Sequence, residues 1–556
     1  MEARRHYVSV GNRQVHYRRS GKGPPILAFH SSPQTGAFVL PHLDVFADRF
    51  TIIAPDTPGY GSSDPLPQEY PTIEEYADAA VPFADALGLT KVVVYGTHTG
   101  AHIALEFARR HPQRVALCLL DGISFYTDEE RRELLARYAP PFEPTADGGH
   151  LAWAWQHTRD QMLFYPWFRW EKDRRLGNTM PSPDYTHQVV QWKMVPGWGY
   201  RKGYQAAFSH PTLPAVRALK VPTLILASAS DILAPMLERV KDVPPVVEVV
   251  AVPADKTPWL AAMNRTLDRA APQLAAAPPV PAEPTVSTGI ARGYVSGGGG
   301  QILVRQRAGQ GRPIVLLHGD MASSALLVPL MAAWPGNRPL VAFDLPGVGD
   351  SDPLPAGGAD LQGYRAAVET ALLALGVEQA DLYARDLAAP LALELVHSQP
   401  QRFKTLVLDE PVIAPAAERA DLLAHYTPAL APTTDGAHLL SAWHRLRDRA
   451  LFWPWYKRER AAVRWVDPAL DAVELQLRLV ETLKSPPHHG DFARAALSWN
   501  GSVPAGLSGH LLAAERDPAS AHAQAMLGKA GLATVMEQPK DVAARAKLLD
   551  RLIGPG

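Results

Sequence analysis

Residues 288 positions apart repeat one another along most of this 556-residue chain. His30 follows Ile26-Leu27-Ala28-Phe29, and His318 follows Ile314-Val315-Leu316-Leu317. The same step carries Asp56-Thr57-Pro58-Gly59 onto Asp344-Leu345-Pro346-Gly347. It also carries Leu163-Phe164-Tyr165-Pro166-Trp167 onto Leu451-Phe452-Trp453-Pro454-Trp455. A register held over that span makes the halves duplicated domains. Each half alternates apolar strand runs with helical periodicity, which predicts a mostly parallel sheet flanked by helices. An aromatic-rich stretch of helical period at about 125–210, matched at about 413–498, reads as a helical cap inserted after the sixth strand. The expected organisation is therefore a domain at 1–275, a Pro-rich linker at 276–288 and a second domain at 289–556.

Composition narrows the function classes. With 55 basic and 56 acidic residues, the chain offers no electrostatic reason to bind nucleic acid or an anionic membrane. No run of about 18 apolar residues predicts a membrane span. The stretch Met1-Glu2-Ala3-Arg4-Arg5-His6-Tyr7 lacks the apolar core of a signal peptide, so a cytoplasmic protein is expected. Cys118, the single cysteine, lies in an apolar strand run and reads as an inert buried thiol. The expected partner is a small-molecule substrate, together with packing of the two halves and scope for a homo-oligomer.

The chemistry concentrates at Gly96-Thr97-His98-Thr99-Gly100. An apolar run, Val92-Val93-Val94-Tyr95, precedes it, and a helical pattern follows. Strand, tight Gly-x-Nuc-x-Gly turn and helix form the context of a nucleophile elbow. With the His30-Ser31-Ser32-Pro33 loop and Asp56-Thr57-Pro58-Gly59 in the same order, both halves resemble capped α/β-hydrolase-fold proteins. The resemblance implies two tandem α/β domains and a hydrolase without a cofactor or metal. It also implies a nucleophile at position 98, an acid after the seventh strand and a base histidine after the eighth. Asp231 fills the acid position, but Lys256 occupies the base slot and His98 the nucleophile slot.

His98 is therefore expected to be base or nucleophile itself, oriented by Asp231 or Asp121. At a helix start, the dipole should lower its pKa and keep the ring neutral. His30 is a second catalytic candidate, with a turn-bracing role as the alternative. By resemblance, the Ser31 and Thr99 backbone N–H groups form the oxyanion hole. His150 and Trp155, in the cap, are candidates to line an apolar substrate pocket, with helix packing as the alternative. The spacing of His98 and His102 matches no strong metal motif.

In the second half, the elbow reads Ala384-Arg385-Asp386-Leu387-Ala388. Loss of both glycines predicts a looser or more strained turn. Asp386 resembles the aspartate nucleophile of haloalkane dehalogenases and epoxide hydrolases. No base histidine follows in Ala533-Thr534-Val535-Met536-Glu537-Gln538-Pro539-Lys540. Three readings stay open. The first is hydrolysis or proton abstraction on an apolar carbonyl compound by His98. The second is a ligand-binding pseudoenzyme. The third is a hydrolase working from Asp386.

Overall fold

The computed structural model describes residues 3–282, 289–504, 508–514, 517–536 and 539–555. The end of the predicted linker and Glu537-Gln538 lie outside them. Two compact units form. One comprises Met1–Glu143 with Trp153–Pro284, and the other Pro144–Ala152 with Thr285–Gly556. The first half is thus not continuous in space, because residues 144–152 pack with the second unit. The reason is local. The His150 ring lies 5.0 Å from that of Trp443, and Gly148, at φ +80°, leaves room where a Cβ would lie 2.9 Å from the Trp443 ring.

The first sheet contains β1 (Arg4–Val10), β2 (Arg13–Gly21), β3 (Pro25–Phe29), β4 (Thr51–Pro55), β5 (Val92–Thr97), β6 (Val115–Asp121), β7 (Thr223–Ser228) and β8 (Val247–Val252). Their order is β1-β2-β4-β3-β5-β6-β7-β8. Only the β1–β2 and β2–β4 pairings are antiparallel, and the remaining pairs are parallel. Central strands such as β5 are buried along their whole length, as continuous Val-rich runs covered on both faces require. The second sheet repeats this order with β9 (Ala291–Gly297), β10 (Gly300–Arg307), β11 (Ile314–Leu317), β12 (Leu340–Phe343), β13 (Ala380–Arg385), β14 (Phe403–Asp409), β15 (Gly509–Leu512) and β16 (Ala533–Val535).

Between β6 and β7 run the helices Asp128–Arg137, Gly149–Leu163, Pro183–Met194, Arg201–Ser209 and Thr212–Arg217. A matching insertion lies between β14 and β15. The repeat extends to details. Isolated bridges join Phe164 to Arg175 and Phe452 to Val463, at the same step of 288.

Candidate active site

β5 ends at Thr97 and the helix Thr99–Arg110 starts at once, so the chain must reverse at His98. His98 sits at φ 49° and ψ −114°, a left-handed conformation that costs a non-glycine residue of order 1–3 kcal/mol. Its backbone N–H donates to Gly122 O at 2.9 Å, which fixes the turn to the end of β6. Both flanking glycines are steric requirements. A Cβ on Gly96 would lie 2.1 Å from Gly100 O, and one on Gly100 would lie 2.2 Å from Phe29 O.

The turn aims the imidazole at the carboxylate after β7. His98 Nε2 lies 3.0 Å from Asp231 Oδ2, and the Leu233 N–H donates to Asp231 Oδ1 at 2.7 Å. Gly122, at φ +68°, floors the pair, since a Cβ there would stand 2.3 Å from Asp231 Oδ2 and 3.0 Å from His98 Cδ2. The His98 side chain keeps 35% of its surface accessible, so the dyad opens to solvent. Its Nδ1 makes no hydrogen bond among the described residues.

The charge balance corrects the expectation of a lowered His98 pKa. Burial opposes the imidazolium, but the Asp231 charge, its hydrogen bond and the nearby Asp121 charge outweigh burial and raise the pKa. Burial likewise opposes the Asp231 carboxylate, and His98 and the Leu233 amide overcome it, so that pKa is lowered. With Asp231 ionised, Nε2 carries the proton and Nδ1 presents its lone pair.

Asp121 is bonded elsewhere. Its Oδ2 accepts from Tyr95 OH at 2.9 Å and Trp259 Nε1 at 3.0 Å, and burial pushes its pKa up to about 6 against those two hydrogen bonds. It sits one layer behind the dyad as a second, weaker field. Lys256, in the expected base slot, is the exposed first residue of the helix Lys256–Ala270.

His30 is placed as a brace. Its Nδ1 donates to Ser31 O at 2.8 Å and its Nε2 accepts from Thr57 N–H at 2.8 Å, so both ring nitrogens are committed to backbone. His318 repeats this with Gly319 O at 2.8 Å and Leu345 N–H at 3.1 Å. Ser31 Oγ donates to Gln34 Oε1, and Ser31 N–H donates to no acceptor among the described residues. Thr99 N–H opens its helix, where first-turn amides have no acceptor within the helix. The pairing of Phe29 with Gly96 brings the loop after β3 alongside the elbow.

His150 and Trp155 are both packed, buried side chains. His150 Nε2 lies 2.9 Å from Gln476 Oε1 within the second unit, and Trp155 is buried at 3% exposure. A first-unit cleft of about 340 Å³ lies elsewhere, between the loop around Tyr60 and Val195–Lys202, and its lining includes neither His98 nor Asp231.

Sequence reasoning missed a polar chain behind the elbow. His102 Nε2 lies 2.9 Å from Ser124 Oγ and its Nδ1 3.2 Å from His210 Nδ1, while His210 Nε2 lies 3.0 Å from Glu106 Oε1. The i to i+4 pairing of Glu106 with His102 on one helix face was its only visible trace. Glu74, Glu106 and His210 could offer three metal-ligand atoms within 4.8 Å of one another. Arg109 already neutralises Glu106 through a bidentate ion pair.

Comparison with known proteins bears on the fold. A family model described as the alpha/beta hydrolase fold matches residues 24–253 and 312–451, about two thirds of the chain. The chain belongs to the α/β hydrolase fold family. Within that family it is similar to haloalkane dehalogenase 2 of Mycobacterium tuberculosis, with 31% identity over 113 residues, 20% of this chain and 40% of that protein. It is also similar to 2-(acetamidomethylene)succinate hydrolase of Mesorhizobium japonicum, with 28% identity over 128 residues, 23% of this chain and 46% of that protein. The chain thus spans less than half the length of these two relatives. A crystal structure of E-2-(acetamidomethylene)succinate hydrolase matches with 22% identity and a TM-score of 0.39, covering 48% of this chain and 100% of that one.

Proposed function

We propose that the first unit is a hydrolase in which His98 acts as general base and Asp231 holds its tautomer. The observation that carries this reading is the 3.0 Å contact between His98 Nε2 and Asp231 at a strained turn. Strain of this kind persists only where the surroundings over-determine it. The hydrolase names among the relatives support turnover over a pure binding role.

The reaction follows from the free nitrogen. Nδ1 takes a proton from water as the water oxygen adds to a substrate carbonyl. The Ser31 and Thr99 N–H groups stabilise the resulting oxyanion. When the carbonyl reforms and the bond to the leaving group breaks, the imidazolium returns its proton to that group. No serine nucleophile and no acyl-enzyme are required. An apolar ester, lactone or amide of small or medium size is the substrate class. The same base, acting on a carbon acid, would catalyse proton abstraction.

A panel of such compounds tests this with the full-length wild type, His98→Ala and Asp386→Ala. Turnover should be lost in His98→Ala and kept in Asp386→Ala. Full turnover by His98→Ala would overturn the assignment. So would labelling of Ser31 or Ser32 by a fluorophosphonate.

A further inference from the structure

The first unit carries a buried phenol that its own fold leaves unsatisfied. Tyr76 lies near the start of the helix Ile73–Ala86, which a capping box between Thr72 and Glu75 fixes in place. The residue is only 2% exposed, yet its hydroxyl makes no hydrogen bond among the described residues. A buried hydroxyl of this kind is costly unless something outside the protein meets it. Burial, with Tyr60 and Glu75 nearby, raises its pKa, so the group stays a neutral O–H donor.

The hydroxyl is not sealed. It keeps accessible surface, and Tyr76 lines the first-unit cleft of about 340 Å³ between the loop around Tyr60 and Val195–Lys202. That volume falls in the range of small-molecule sites. Leu66, Pro71, Val195 and Pro196 give the cleft apolar walls, and Lys202 is the one charged residue of its lining. Tyr60 is fixed beside them, because its hydroxyl donates to Tyr200 O at 2.9 Å and accepts from the Gly203 N–H at 2.7 Å. Walls held in this way lower the ordering cost of binding.

The second unit supplies an internal control. A step of 288 carries Tyr76 onto Tyr364, Gly59 onto Gly347, Tyr200 onto His488 and Tyr204 onto Phe492. Phe492 packs edge-on to Tyr364 at 5.2 Å, and a Cβ on Gly347 would lie 3.1 Å from His488 Cβ. In the first unit, Tyr204 packs instead with Tyr138 at 5.2 Å, and Tyr200 OH donates to Pro140 O at 2.6 Å. A Cβ on Gly59 would meet nothing nearer than Pro65 at 3.5 Å. The side chains that crowd the second copy turn away in the first and leave the cleft open over Tyr76.

We propose that this cleft binds a small neutral molecule with an apolar body and a carbonyl group. The carbonyl oxygen accepts from the Tyr76 O–H, and the body lies against Leu66, Pro71, Val195 and Pro196. Neither His98 nor Asp231 lines the cleft, and no bond is made or broken there.

Titration calorimetry on the full chain, with acetophenone, α-methylstyrene and benzoate as probes, tests the proposal. Acetophenone should bind saturably with a Kd near or below about 1 mM. The similarly shaped α-methylstyrene lacks the acceptor and should bind about 5-fold more weakly. Tyr76→Phe removes a hydroxyl that no protein group uses, so it should unfold at the wild-type temperature while binding the two compounds equally. Gly199→Leu puts a side chain into the cleft, where a Cβ would meet only Pro196 at 3.8 Å, and should weaken acetophenone about 10-fold. Irradiated benzophenone, an aromatic ketone that couples to nearby C–H bonds, should label residues within 58–76 or 195–202, and acetophenone should protect them. His98→Ala should bind acetophenone as wild type does, which separates a failure here from a failure of the hydrolase assignment. No saturable binding of acetophenone, an unchanged preference for it in Tyr76→Phe, a lower unfolding temperature for that variant, tighter binding of benzoate, or label confined to the segments around His98 and Asp231 would each overturn the proposal.

Discussion

The two elbows share a backbone and divide over charge. His98 and Asp386 occupy equivalent positions at φ 49° and φ 58°. Past His98 the helix begins directly, whereas past Asp386 a 3-10 turn, Asp386–Ala388, precedes the helix Ala389–Ser398. That looser start is how the second unit accepts alanines where the first has no room for a Cβ. The electrostatic contrast is sharper. In the first unit, His98 and Asp231 have each other and little else. In the second, each acid of the region meets an arginine: Asp386 pairs with Arg449, Glu410 with Arg385 at 3.3 Å, and Asp409 with Arg545 at 2.5 Å. Strand register aligns Asp231 with Asp517, and Arg464 holds Asp517 at 2.7 Å. A carboxylate locked to a guanidinium is a poor nucleophile and a poor partner for a base. One scaffold thus carries an acid–base pair in one copy and a salt-bridge cluster in the other.

The largest expected effect separates the copies outright. His98→Ala should lower turnover by about 10²- to 10⁴-fold, the usual worth of a general base, while Asp386→Ala changes it less than twofold. Equal losses in both variants, measured as kcat/KM on a hit from the substrate panel, would erase the distinction.

A second comparison targets the turns. Gly96→Ala forces a Cβ against backbone and should destabilise the first unit by about 3 kcal/mol, read as a lowered thermal transition. Ala384→Gly, made where the second turn already accepts a side chain, should cost no more than about 1 kcal/mol. A comparable challenge to the salt-bridge cluster is Arg449→Ala. Stripping the partner from the mostly buried Asp386 should cost about 3 kcal/mol of second-unit stability and leave first-unit turnover intact. New turnover appearing in Arg449→Ala would instead mean that Asp386 is a nucleophile held in check.

The fold was legible because it rests on long-range repetition. One step of 288 and alternating strand and helix patterns suffice to predict both sheets, and each half tests the other. The elbow was legible because its glycines answer to local sterics. The pairing of His98 with Asp231 was legible only as one of two options, since 133 residues separate them and strand order decides which carboxylate arrives. Tyr95 and Trp259, which remove Asp121 from contention, sit in apolar stretches and gave no sign of a polar duty. The packing alternative for His150 could be stated but not given its partners, because Gln476 and Trp443 lie about 300 residues away. The sign of the His98 pKa was misjudged for a related reason. A helix start is visible in sequence, whereas a carboxylate across the sheet is not, and at 3.0 Å that carboxylate, with its hydrogen bond and the Asp121 charge, outweighs burial.

That last point sets the smallest and most discriminating test. A base works in its neutral form, so the rate should rise with pH and level off above the raised His98 pKa, which lies higher than the ordinary value of about 6.5. Asp231→Asn keeps the shape but removes the charge that favours the imidazolium. Burial, which opposes the charged ring, then dominates. The rising limb of kcat/KM should therefore move to lower pH, even as the plateau falls because an amide holds the tautomer less firmly. Arg449→Ala, which alters the second unit's carboxylate, should leave the limb in place. A limb unmoved in Asp231→Asn, or moved upward, would mean that the titrating group is not His98. The geometric pair would then be a structural contact, and the two copies would differ in packing alone.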